Sequence, residues 1–168
     1  MRQEMLILVD EQDNEIGLME KQEAHEKALL HRAFSILIFN KKGETLLQQR
    51  ALTKYHSAGL WTNACCSHPR AGEITVHAAH RRLIEELGFD CQLELKHSFI
   101  YKAPFDNGLT EHEFDHVFFG DYNEVINFNP EEVAAVKWVT VPSLLADINN
   151  NPENYTVWFK MIVEEIHL

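Results

Sequence analysis

The strongest constraint on the fold is local: two apolar runs, residues 34–39 and 45–49, are separated by Asn40-Lys41-Lys42-Gly43. Gly43 supplies the positive φ that a tight reversal needs, so this segment reads as a β-hairpin. A short strand is predicted at 5–9, followed by a polar turn at Asp13-Asn14 and a second short strand. Further strand patterns fall near 93–101, 111–122 and 134–139. Val76, Ala79, Leu83 and Leu87 share one helical face, with Thr75 placed as the N-cap and Gly88 beyond the end. Other helices are predicted over 20–30, carrying His25, over 142–148, where Pro142 suits a first turn, and over 155–166. Strands outnumber helices and do not alternate with them regularly. The expectation is an α+β fold with a mixed β-sheet flanked by helices.

A chain of 168 residues suits one domain, spanning 1–168. With 45% apolar residues, no stretch is poor enough in hydrophobes to remain disordered. Its apolar runs fall far short of the roughly 20 residues that a bilayer crossing needs. The opening MRQEMLILVDEQDNE lacks a basic leader and a small-residue cleavage pattern, so no signal peptide is expected and a cytoplasmic location is. Fifteen basic against 26 acidic side chains give a net charge of -11, which disfavours nucleic-acid partners. An anionic substrate would need locally placed cations. Of three cysteines, Cys65 and Cys66 are adjacent and point oppositely if extended. A disulfide framework is not expected; one of the pair suits core filling and the other reactivity.

Three constellations could carry chemistry. In RRLIEELG, Arg81 faces Glu85 and Arg82 faces Glu86, a pattern that suits surface ion pairs or, near a helix end, a hard cation. Along the strand pattern at 111–116, Glu111, Glu113 and Asp115 share one face, which is either solvated or, if buried, in need of a compensating cation. His25, His31 and His68 offer further metal donors, at separations too wide to establish that they converge. The third constellation is the cysteine loop Trp61-Thr62-Asn63-Ala64-Cys65-Cys66-Ser67-His68-Pro69, where Trp61 could line a pocket.

Glu73, Arg81, Leu83, Glu85, Glu86, Gly88 and Phe89 resemble the later part of the Nudix box. Ser67 replaces its first Gly, and Arg82 replaces the Glu after its Arg, which weakens a hydrolase reading. More specifically, LHRAFS (30–35), WTNACCSHP (61–69), RRLIEELG (81–88) and EHEFD (111–115) resemble the type 1 isopentenyl-diphosphate isomerases, a Nudix-fold family.

The resemblance implies a metal-dependent 1,3-allylic proton shift between isopentenyl and dimethylallyl diphosphate, a step of isoprenoid biosynthesis. It implies His25, His31, His68, Glu111 and Glu113 as ligands of a divalent metal, Mg2+, Mn2+ or Zn2+. Cys66 and Glu113 are the implied proton carriers, assisted by Tyr101. Glu86 would help to hold a second Mg2+ on the substrate diphosphate, with Lys21, Arg50, Lys54 and Arg82 as cations around the phosphates. Trp158 would face the carbocation, and is also placed with Met161 and Ile162 to anchor the last helix. No membrane partner is expected, and the protein would act as a monomer or weak homodimer. The alternatives are a Nudix pyrophosphohydrolase of a nucleoside diphosphate derivative and a non-catalytic Nudix binding module.

Overall fold

The computed structural model describes residues 3–168; the first two positions of the expected 1–168 domain lie outside the described residues. The chain opens with β1 (Met5–Val9) and β2 (Glu15–Glu20), an antiparallel pair, followed by α1 (Lys21–Glu26). Glu20 caps α1 by accepting from the Glu23 N–H at 3.1 Å. The helix is shorter than the 20–30 predicted. Ala28 adopts the left-handed region at φ 54, and the chain must then extend into β3 (His31–Phe39). His25 thus sits in the last turn of a short helix, with its side chain buried.

β3 organises the sheet. One edge pairs in parallel with β8 (Thr110–Asp121), from His31 opposite Glu113 to Phe39 opposite Asp121. Its other edge is shared: Leu8 meets His31, β6 (Cys65–Ser67) meets Phe34, Ser35 and Ile36, and Thr45 of β4 (Glu44–Arg50) meets Phe39. The expected hairpin therefore closes at its turn, after which its strands part. β4 runs instead against β9 (Val133–Thr140) and, at Gln48 and Gln49, β5 (Trp61–Thr62). Side chains bridge the opening because buried carbonyls need donors. The Asn63 amide donates to Ile36 O and Cys65 O, both at 3.0 Å, and Gln48 donates to Ala64 O at 2.6 Å. β7 (Leu93–Pro104) pairs antiparallel with the far edge of β8.

Helices cover both faces. α2 (Thr75–Leu87) buries Ala78, Ala79, Leu83 and Leu87 against Phe34, Ile36, Ile38 and Leu46. Gly88 ends it at φ 73, where an added Cβ would lie 2.3 Å from Asn127 O. Thr75 is not the cap: Ile74 occupies that position and makes no side-chain capping bond, while Thr75 opens the helix. The helix start is tied down by Glu73 instead. Glu73 receives Arg81 Nε at 2.8 Å and Nη2 at 2.9 Å, and accepts from the Arg70 N–H at 2.8 Å.

These Arg81 bonds lower the Glu73 pKa. Their stabilisation is present above the unfolded-state carboxylate value and lost as pH falls through the lower folded value. Glu73→Gln is expected to cost about 1 kcal/mol at pH 7. Urea midpoints of the two proteins should converge as pH falls through the lowered folded value, where the native carboxylate is protonated too.

On the opposite face, α3 (Val141–Asn150) and α4 (Val157–Glu165) pack Leu144, Trp158, Phe159 and Ile162 against Leu37, Leu47, Tyr101 and Val117. Pro142 falls in the first turn of α3. The alternation along the strands fixes where chemistry can occur. Towards α4, β3 presents His31, Ala33, Ser35 and then Leu37, while β8 presents Glu111, Glu113, Asp115 and then Val117. The same face is polar at its start and apolar beyond.

Candidate active site

A cavity of about 140 Å³ opens over that polar half. β7 and β8 contribute Tyr101, Glu111 and Glu113, and the segment at β6 contributes Cys66, Ser67 and His68. Cations reach it from three places: Lys21 on α1, Arg82 on α2, and Arg50 with Lys54 at the end of β4 and in the following loop. Trp158 of α4 completes the wall, whereas Trp61 is not among the lining residues. Lys137 Nζ lies 4.1 Å from the Trp61 ring centre.

Beside the cavity, ligand atoms of His25, His31, His68 and Glu111 all lie within 4.8 Å of one another. His25 Nδ1 is 2.6 Å from Lys21 O and His31 Nδ1 is 2.9 Å from Leu29 O, so each Nδ1 is the N–H donor. Each Nε2 then faces the carboxylates. His25 Nε2 is 3.0 Å from Glu111 Oε2, and His68 Nε2 is 3.0 Å from Glu113 Oε1. His31 Nε2 stands 3.6 Å from Glu113 and 3.9 Å from Glu111, buried and without a hydrogen-bond partner among the described residues. Inward nitrogen lone pairs beside carboxylates, with backbone carbonyls fixing the tautomers, fit a divalent metal. Burial alone would raise the Glu111 carboxyl, but His25 and His56 hold it well below the usual range. For His68, burial prevails and lowers the imidazole.

Cys66 faces this cavity while Cys65 packs in the opposite core, as the extended pair requires. The surroundings of Cys66 are hydrogen-bond acceptors. Its thiol donates to Asn63 Oδ1 at 3.0 Å and Ser35 Oγ at 3.4 Å, while the Ser35 hydroxyl donates to Asp115 Oδ2 at 2.8 Å. Burial first, then Asp115, pushes the Cys66 thiol up and keeps it protonated. Asp115 is itself pushed well up by burial and by Glu113. Tyr101 Oη donates to Glu113 Oε2 at 2.6 Å, and burial together with Glu113 raises that phenol.

Three of the four cations are already paired with carboxylates. Lys21 contacts Glu4 at 3.0 Å, Lys54 is bonded to Glu132, and Arg82 reaches Glu85, Glu86 and Glu132 at 2.8, 3.1 and 3.4 Å. Glu86 lies behind the lining, bonded to Arg82 and receiving the Cys65 thiol at 2.5 Å. Burial raises its carboxyl despite Arg82. Arg50 sits 5.1 Å from the Trp158 ring centre.

Four participants escaped the sequence reading: Asn63, Ser35, His56 and Glu132. Asn63 and Ser35 lie inside the WTNACCSHP and LHRAFS motifs, where nothing in the spacing assigns them a role. His56 and Glu132 belong to loops that meet the cavity through long-range folding, and no spacing marks them.

The NUDIX domain model matches residues 29–159, which include seven of the nine strands, β3 to β9, and leave out the first pair, β1 and β2. A Deinococcus radiodurans crystal structure superposes with a TM-score of 0.81 at 22% identity, covering 98% of this chain and all of that one, and it supports the fold. Two relatives are closer in sequence. Isopentenyl-diphosphate Delta-isomerase 2 of Photorhabdus laumondii is 57% identical over 95% of this chain and 90% of its own length. Isopentenyl-diphosphate Delta-isomerase of Serratia proteamaculans is 51% identical over 97% and 91%. The chain belongs to the isopentenyl-diphosphate Delta-isomerase family of the NUDIX class.

Proposed function

We infer that this protein interconverts isopentenyl diphosphate and dimethylallyl diphosphate, as a single catalytic domain working in the cytoplasm. The observation that carries the reading is the convergence on one cavity of a protonated thiol, a Tyr101-bonded carboxylate, the His/Glu cluster and four cations. Arg82, in place of a box glutamate, turns that position of the helix from metal binding towards phosphate binding. The pyrophosphohydrolase and binding-module alternatives give no comparable use to Cys66.

Lys21, Lys54 and Arg82 exchange their carboxylate partners for diphosphate oxygens and Arg50 adds a fourth cation, the guanidinium forks each pairing two oxygens. Glu86 is the carboxylate available to a Mg2+ ion carried by the diphosphate. His25, His31, His68, Glu111 and Glu113 would hold a divalent ion, Zn2+ or Mn2+ in preference to Mg2+ given three imidazoles, which supplies a fixed positive charge beside the reacting carbons. Cys66 and Glu113 are the proton carriers. One gives a proton to the terminal methylene carbon, whose π electrons form the new C–H bond and leave a tertiary cation at C3. The other takes a proton from C2, and that C–H pair becomes the new double bond. Tyr101 holds Glu113 in place through its 2.6 Å bond. Trp158 offers the cation an indole wall, worth about 2 kcal/mol when desolvated.

Phosphorus NMR of the protein with isopentenyl diphosphate and Mg2+ tests this reading. Dimethylallyl diphosphate with both phosphorus atoms retained is the expected product. Release of phosphate or pyrophosphate would overturn the isomerase in favour of a hydrolase.

A further inference from the structure

His56 is a buried imidazole in a surface loop, with its side chain only 8% exposed. The loop is built to present it. Arg50 N–H donates to Leu60 O and Gly59 N–H to Arg50 O, at 2.9 and 3.0 Å, closing the base. Ser57 then turns the chain at φ 51, immediately after His56. Arg50 Nη2 donates to His56 O at 3.3 Å. The His56 ring stacks on Phe105 at 5.0 Å and meets Trp158 edge-on at 5.6 Å.

The ring so held brings Nε2 to 3.2 Å from Glu111 Oε1. Glu111 is thereby bracketed: Oε2 faces His25 and His31, and Oε1 faces His56. His56 stands outside the set of mutually close ligand atoms, against the carboxylate oxygen turned away from them. We propose that His56 is a positioning residue that fixes Glu111 for metal binding and locks the cluster to the Trp158 wall. The proposal rests on the metal-cluster reading above. Imidazoles and carboxylates that bind metal depend on such outer partners, whose loss typically weakens affinity by about 10–100-fold.

The test is competition of purified protein with a colorimetric chelator for Zn2+ and, separately, for Mn2+. His56→Phe keeps a ring between Phe105 and Trp158 while removing the donor, and His56→Gln keeps an N–H donor without the ring. His56→Phe is expected to bind either ion about 10–100-fold more weakly, with His56→Gln recovering most of the loss and metal-free melting temperatures unchanged. Wild-type affinity in His56→Phe, with wild type binding tightly, would overturn the positioning role alone. If wild type takes up neither ion, the metal-cluster reading falls, and this inference with it.

Discussion

Cys66→Ala is expected to lower kcat for isomerisation by about 10²–10⁴-fold, the usual worth of a positioned proton carrier, and to leave KM within a few-fold. The separation follows from the geometry. Cys66 donates to Asn63 and Ser35 and bonds to none of the four cations, which hold the diphosphate in the proposed mechanism. Removing its sulfur leaves Asn63 Oδ1 still accepting from Thr62 and Ser35 still donating to Asp115, so the supporting network stays satisfied. Metal content should also be unchanged. Steady-state kinetics with metal analysis checks this, and a variant retaining more than a tenth of wild-type kcat would remove Cys66 from the chemistry.

Glu113→Gln should be at least as damaging, for two reasons at once. The amide cannot take up a proton as a carboxylate does, and it offers a weaker oxygen to the cluster facing His31 and His68. The expected loss in kcat is again about 10²–10⁴-fold, now with weakened metal binding. Excess metal should restore occupancy without restoring turnover. Full rescue by metal would confine Glu113 to ligation and exclude it as a proton carrier.

Much of the scaffold was legible because it is written in short-range periodicity. Asn40 to Gly43 marks a reversal wherever the strands later go, and the face formed by Ala79, Leu83 and Leu87 buries as its spacing requires. Alternation at 111, 113 and 115 placed three carboxylates together, and burial of all three is the long-range fact that alternation could not supply. The parting of β3 from β4 was not legible, because it depends on β6 and β9 competing for their edges. α1 stopped early because its exit had to feed β3, a tertiary demand that overrides helical preference. His56 and Glu132 gave no signal because a loop's reach is set by how its ends are anchored. Glu86 showed the converse limit: its spacing to Arg82 was correct, but its bond to Cys65 joins positions 21 residues apart.

In the proposed mechanism protons reach and leave the substrate through Cys66 and Glu113, groups that exchange with water. Proton NMR of isopentenyl diphosphate turned over in deuterated water tests it most directly. Dimethylallyl diphosphate carrying solvent deuterium in one methyl group is expected from the wild type, and no such product from Cys66→Ala or Glu113→Gln on the same timescale. Product formed without solvent deuterium, or formed at the wild-type rate by either variant, would contradict it.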